Sequence, residues 1–310
     1  MPSLRSRLVE LFLPLLGIKK FFSQPDRMDA RIARMRAEKP ATPRGKWHRK
    51  YDIVRTEDDG FALITLTPRR GTREGAPHLL YLHGGGYVMD IASVHYEAVF
   101  KLCEELGASA SIPLYPLAPE AKASTTLPAM RRLYDRLAAQ HGEGAITIMG
   151  DSAGGGMTLA LAQDLARDAA PLPASLVLFS PWLDATGAAE GQAEIEPKDK
   201  MLSVAGLSAC ASRYAGDLPA DDPRISPLFG SLDGLPPTAI FAGTHDILLV
   251  DARRLAAGLD TARGGPHMYR EYEGMQHVWM LFPIPEGKAA LREAASFIAA
   301  NCVAERQEPA

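Results

Sequence analysis

The sequence predicts an α/β protein: a mostly parallel sheet of eight strands with helices on both faces and a helical cap. Three observations carry that expectation. Short β-like runs alternate with longer helical patterns from residue 50 onward. The helical stretches keep apolar residues three to four apart with charges between them. One long stretch, 184–227, breaks the rhythm between two strand-like runs. Parallel neighbours cannot be joined by a tight turn and need a crossover of a dozen or more residues, usually a helix, so alternation of this kind specifies a parallel sheet.

Composition sets the outer limits. The chain has 310 residues, 46% hydrophobic and 23% charged, with a formal net charge of −3. A chain of this length buries roughly three quarters of its surface on folding, so one large core needs no metal or disulfide staples. The balance is that of a globular protein and excludes disorder over most of the chain. A slightly acidic chain lacks the basic field that gathers phosphates, which argues against nucleic acid as a partner. Basic residues do crowd one segment, Arg27, Arg31, Arg34, Arg36, Lys39, Arg44, Lys46 and Arg49. They read as a solvated helix face followed by a linker, a binding patch being the alternative. Cys103, Cys210 and Cys302 are odd in number and far apart, which gives neither a disulfide framework nor a paired metal-ligand spacing. A reducing, cytoplasmic location is the expectation.

Taken in order, residues 1–45 are expected to form cap helices. The apolar run 8–18 follows Arg5 and Arg7 as a signal peptide would. Glu10 interrupts it, Lys19 and Lys20 end it, and no small-residue cleavage site follows, so it reads as a helix covering something apolar, monotopic attachment to a membrane being the alternative. No run reaches the roughly twenty apolar residues of a membrane span, so stable membrane insertion is not expected. Beyond Pro40 and Pro43, strands are expected at 51–56, 62–67, 79–82, 109–114, 145–149, 175–179, 238–241 and 267–272. Helices are expected at 93–106, 125–140, 153–168, 250–259 and 286–301. The α/β core then divides into 46–184 and 229–305, with a cap excursion at 185–228 and a tail at 306–310. Ligands on open α/β sheets bind outside the carboxyl ends of the strands, so an excursion there is a candidate lid.

Gly150-Asp151-Ser152-Ala153-Gly154 fits the pattern G-x-S-x-G, and its context gives it weight. It falls between a strand-like run and a helical one, the setting of a nucleophile elbow, whereas a plain Gly-Ser helix cap is the bland alternative. His83-Gly84-Gly85-Gly86-Tyr87 follows another apolar strand and brings side-chain-free amides to the same edge. Two of Gly84, Gly85 and Gly86, with Ala153 N–H, are the expected oxyanion donors. A phosphate loop is disfavoured because no G-x-x-x-x-G-K-[ST] or G-x-G-x-x-G follows.

A serine hydroxyl needs a base, and the base needs a third group to fix its tautomer. After an elbow of this kind the acid and then the histidine follow in chain order. Of His245, His267 and His277, only His277 sits in a loop after a strand; His267 opens its strand at the wrong end, and His245 adjoins Asp246. Asp246 follows the strand at 238–241. Asp251 and Asp260 are expected on a solvated helix face.

These landmarks resemble the hormone-sensitive-lipase family of α/β-hydrolases, in its bacterial branch with a G-D-S-A-G elbow. The residues that carry the resemblance are His83-Gly84-Gly85-Gly86-Tyr87, Tyr115-Pro116-Leu117-Ala118-Pro119-Glu120, Gly150-Asp151-Ser152-Ala153-Gly154-Gly155, Ser180-Pro181-Trp182, His245-Asp246-Ile247-Leu248 and Gly274-Met275-Gln276-His277. The landmarks run from His83 to His277, and the resemblance covers roughly residues 79–301. The resemblance implies the α/β-hydrolase fold, a cap built from the amino-terminal helices and the excursion, and carboxylester hydrolysis without a cofactor or metal. Pro116 departs from a bulkier polar residue usual in the family, and His245-Asp246-Ile247 from an Asp-Pro step.

Ser152, His277 and Asp246 are thus the expected triad. Tyr87, Trp182, Tyr214, Val278 and Trp279, with Leu11, Phe12, Phe21, Phe22 and Met35 of the cap, are candidates for an acyl or alcohol pocket, core packing being the alternative for each. A small-molecule ester of short to medium chain, or a lactone, is the expected partner, and a homodimer is compatible with the sequence. A non-catalytic receptor on the same scaffold and an amidase with the same triad are the rival readings.

Overall fold

The computed structural model describes residues 2–302, and the expected tail at 306–310 lies outside them. Four strands are buried at every residue: β3 (His78–Leu82), β5 (Ile146–Asp151), β6 (Ser175–Phe179) and β7 (Thr238–Gly243). Continuous burial means cover on both faces, the signature of inner parallel strands. β4 (Ser109–Leu114) lies beside β3. β1 (Tyr51–Asp58) and β2 (Phe61–Pro68) form a hairpin across Asp59-Gly60, both in the left-handed region that such two-residue turns require. β8 (His267–Tyr272), half-buried, closes the other edge. The sheet order is β1-β2-β4-β3-β5-β6-β7-β8, with β2 antiparallel to both neighbours and every other pair parallel. The expected eight-stranded, mostly parallel sheet is borne out.

Helices α1 (Leu4–Phe12), α2 (Ile18–Phe22) and α3 (Met28–Arg36) precede the sheet. They are followed by α4 (Ser93–Leu106), α5 (Ala123–His141), α6 (Ala153–Arg167), α7 (Gln192–Ile195), α8 (Val204–Ala215), α9 (Leu249–Leu259) and α10 (Pro285–Asn301). The path from β3 to β4 moves one way across the sheet, and that from β5 to β6 the other way. Right-handed crossovers in opposite directions put α4 and α6 on opposite faces. In agreement, α4 packs against α10 and α5 against α6. This reversal makes β3 and β5 the topological switch point, where the sheet opens a crevice beyond its carboxyl ends.

The amino-terminal reading needs a correction. The run 8–18 is not one covering helix: Pro14 opens a tight 3₁₀ turn at Leu13–Leu16 and Gly17 is left-handed, so the chain changes direction twice. Leu13, Phe21 and Phe22 are buried, and Met35 is partly buried against the core. Leu8, Leu11, Phe12, Leu15 and Leu16 are exposed, so Leu11 and Phe12 line no pocket. The excursion at 185–228 lies over α2. Ser203 caps α8 by accepting from Gly206 N–H at 3.2 Å and donates to Phe22 O at 2.8 Å, while Gly206 packs directly on the Phe22 backbone.

Candidate active site

Ser152 stands between the last residue of β5 and the first of α6 with φ 54° and ψ −123°. A non-glycine residue there costs on the order of 1–3 kcal/mol and persists only where its surroundings over-determine it. Here they do. Its N–H donates to Phe179 O at 2.9 Å, and its carbonyl accepts from Gly156 N–H at 3.1 Å and Trp182 N–H at 2.9 Å. The flanking glycines serve close approach: a Cβ on Gly154 would collide with the Leu82 carbonyl, and one on Gly150 with the backbone of Gly154 and Leu82. The turn is thereby pressed against the end of β3.

The glycine loop leaves β3 beside this elbow, and Asp151 ties the two together. Its Oδ1 accepts Gly84 N–H at 3.0 Å and the Tyr81 hydroxyl, and His95 Nε2 lies 3.5 Å from Oδ2. Burial alone would raise the Asp151 carboxyl; the His95 imidazole, with the Tyr81 and Gly84 donors, outweighs it and holds the group below its usual range. Of the three glycines among which two donors were expected, Gly84 has its N–H already engaged. Among the described residues the N–H groups of Gly85, Gly86 and Ala153 have no partner. Gly85 sits at φ 116°, which side-chain-bearing residues rarely adopt. His83 is pushed down to about 4, chiefly by burial and then by His95, so it is neutral. It stacks on Tyr115, whose hydroxyl donates to His83 O at 2.6 Å.

Asp246 lies fully buried beyond β7, and His277 lies in the loop beyond β8. His277 Nδ1 is 2.8 Å from Asp246 Oδ2, while Asp246 Oδ1 accepts Leu248 N–H at 2.9 Å. A carboxylate only accepts, so Nδ1 carries the proton and Nε2 the lone pair. Val278 N–H donates to Ser180 Oγ at 3.2 Å, and Ser180 adjoins Phe179, which holds Ser152 N–H. The histidine loop and the serine elbow therefore hang from consecutive residues at the end of β6. Neither Ser152 Oγ nor His277 Nε2 has a hydrogen-bond partner among the described residues. Such bonds are commonly open in ligand-free sites and tighten with substrate. Burial would lower the His277 imidazole; Asp246, backed by Asp199 and Asp151, outweighs burial and raises it above its usual value.

Asp199 is the residue that sequence reasoning missed. Its Oδ1 accepts from Met201 and Leu202 N–H at 2.7 and 2.8 Å, and its Oδ2 from Ile247 N–H at 3.0 Å, next to Asp246. Burial first, then the nearby Asp246 carboxylate, pushes it up to about 6. An acid between two lysines in a loop reads as solvated; only the fold brings it under the acid loop. Asp251 is a second correction. It is fully buried, its Oδ2 accepts from Leu183 and Asp184 N–H at 3.0 and 3.1 Å, and burial pushes it up to about 8. Asp260 is exposed as expected and lies 3.3 Å from His267 Nε2.

Tyr87 stacks on Tyr214 with ring centroids 3.7 Å apart, and Trp182 lies 5.7 Å from Tyr87. A Cβ on Gly156, one turn beyond Ser152, would be 3.0 Å from the Tyr87 hydroxyl. Cys210 and Phe22 close over Gly86, where a Cβ would be 3.1 Å from Cys210 Sγ and 3.6 Å from the Phe22 ring. These side chains, with Val278 beside His277, adjoin the elbow. Trp279 does not: its ring packs on Tyr272 at 5.0 Å, and its turn lies against α4 and α10, so it belongs to the core.

Residues 79–281 match the model of a family described by its α/β hydrolase fold. The chain belongs to the α/β-hydrolase family. Among relatives of this α/β-hydrolase, a triacylglycerol lipase of Mycobacterium tuberculosis is 33% identical over 73% of the chain, which spans only 46% of that lipase. An esterase of Acinetobacter venetianus is 33% identical over 71% of the chain and 73% of its own length. A solved esterase of the bacterial hormone-sensitive lipase family superposes with a TM-score of 0.77 at 27% identity, over 91% of this chain and 99% of that one. The esterase EstE5, soaked with ethyl alcohol, gives 0.82 at 28%, over 97% and 100%. The resemblance to the hormone-sensitive-lipase branch of the α/β-hydrolases is borne out.

Proposed function

We propose that Ser152, His277 and Asp246 form the catalytic triad of this serine ester hydrolase, and that Gly85, Gly86 and Ala153 supply its oxyanion hole. The observation that carries the reading is the Asp246–His277 hydrogen bond, which leaves an imidazole lone pair free in a loop anchored beside a strained serine. Ser152 Oγ attacks the ester carbonyl as its proton passes to His277 Nε2. The tetrahedral oxyanion is met by the N–H groups of Gly85 and Gly86 in the loop after β3 and by that of Ala153 at the start of α6, where the helix dipole adds positive potential. The imidazolium returns the proton to the departing alkoxide. Water, deprotonated by the same nitrogen, then splits the acyl-serine and releases the acid.

The amino-terminal helices and the excursion at 185–228 form the cap, with the catalytic core in 46–184 and 229–305. Tyr87, Trp182, Tyr214 and Val278, with Phe22 and Cys210, bound the acyl space. Each methylene buried there contributes about 0.8 kcal/mol until the space is full, so preference follows chain length and then stops. Against p-nitrophenyl esters from acetate to palmitate, kcat/KM rises through the short chains and falls sharply beyond the medium ones. The matching anilide is turned over far more slowly, and a palmitate optimum contradicts this pocket. A cytoplasmic location suits a chain with three free cysteines.

The pH dependence has a defined sign. Below its pKa His277 is cationic and has no lone pair for the serine proton, and its neighbours raise that pKa. The acid limb of kcat/KM therefore has its midpoint above roughly 6.5, the ordinary imidazole value. Asp199→Asn, by removing one of the carboxylates that favour the cation, moves the limb toward lower pH. A wild-type midpoint below the ordinary value contradicts the assignment.

A further inference from the structure

Among the described residues, six of the eight large hydrophobic side chains that stand exposed lie within residues 4–16: Leu4, Leu8, Leu11, Phe12, Leu15 and Leu16, between 56% and 80% accessible. Leu4, Leu8 and Leu11 recur at i, i+4 and i+7, one stripe of α1, while Ser6 and Leu13 on the opposite side are buried. The helix thus turns its apolar side outward, against the usual rule. Arg5 and Arg7 flank the stripe, both exposed, and neither is in an ion pair among the described residues. The one acid of α1, Glu10, is turned inward to accept from Gln276 Nε2 at 2.9 Å. Residues 1–50 hold thirteen Lys and Arg against four Asp and Glu, although the chain as a whole carries −3.

The same helix is fastened to the catalytic histidine loop. Ser6 Oγ donates to Met275 Sδ at 3.6 Å, and Glu10 and Gln276 are bonded as above, one residue before His277. Ser3 N–H is held by Glu286 Oε1 of α10 at 2.5 Å, so α1 is a fixed part of the surface.

We propose that α1 and the turn after it are a docking surface for an anionic lipid–water interface, which sets the enzyme down with its histidine loop behind the contact. Leucines at the acyl boundary and arginines at the headgroups are the pairing such interfaces select. A second copy is disfavoured on charge: a two-fold contact would press each cationic rim on its own image. The reading of Ser152 as nucleophile is assumed only where ester turnover is measured.

The test is sedimentation of the full chain with phosphatidylcholine vesicles, with and without phosphatidylglycerol. Wild type pellets with the anionic vesicles, far less with the neutral ones, and is released as salt is raised. Leu8→Glu/Leu15→Glu lowers vesicle affinity about tenfold or more, and Arg5→Glu/Arg7→Glu lowers it on anionic vesicles alone. Both variants keep the wild-type rate on water-soluble p-nitrophenyl acetate. No pelleting of wild type, equal pelleting on both vesicles, or full binding by the leucine variant overturns the proposal. So does a wild-type dimer, by analytical ultracentrifugation, that Leu8→Glu/Leu15→Glu converts to monomer. An inactive wild type would sink the triad and leave the vesicle result standing.

Discussion

Ser152→Ala leaves the chain folded and lowers kcat on p-nitrophenyl butyrate by on the order of 10⁴- to 10⁶-fold. The substitution removes Oγ alone. The three backbone hydrogen bonds that hold residue 152 are untouched, and alanine at φ 54° is no more strained than serine, so the melting temperature stays close to that of the wild type. What turnover survives comes from the amides of Gly85, Gly86 and Ala153 acting on a carbonyl attacked by water. An organophosphate labels the wild type at one site per chain and this variant not at all. Turnover within tenfold of wild type, or labelling of the variant, ends the assignment of Ser152.

Asp246→Asn should cost about 10⁴-fold in kcat with little change in fold. The reason lies in the bonds each oxygen makes. Oδ1 accepts Leu248 N–H, a buried donor that needs an acceptor, so the amide oxygen of asparagine takes that place. The NH₂ then points at His277 Nδ1 and requires a lone pair there, which sends the ring proton to Nε2. An imidazole in that tautomer cannot take a proton from Ser152. The acid limb of the pH profile also moves toward lower pH, because the main charge that raises His277 is gone. If turnover falls less than tenfold, the orienting acid is not Asp246, and Asp199 is next to be replaced.

The fold was legible because its inner strands are short, apolar and bounded by turn signals; strands predicted at 79–82 and 238–241 appear as His78–Leu82 and Thr238–Gly243. That Ser152, Asp246 and His277 come to one edge was legible for a related reason. Loops that leave carboxyl ends of parallel strands must meet at one edge, so strand order along the chain already constrains which side chains meet. Residues whose role depends on a single long-range contact were not legible. Asp251 has the helical spacing of a solvated acid, and only the amides of Leu183 and Asp184 draw it inside. Gly84 looked equal to Gly85 and Gly86 until Asp151 took its N–H. Trp279 adjoins His277 and Val278 in sequence, but a 3₁₀ turn swings it toward α10. For Leu11 and Phe12 the error was one of sign: apolar residues with helical spacing declare a face, and nothing local says which way the face looks.

Asp151 is the chain neighbour of Ser152, the proposed nucleophile, and also holds the loop of Gly85 and Gly86, the proposed oxyanion donors. The elbow and the glycine loop are therefore tied through one carboxylate, which fixes Ser152 and the amides of Gly85 and Gly86 relative to each other. A site that travels as one body has little left to rearrange when charge develops, and environments of that kind lower a barrier without first having to be ordered.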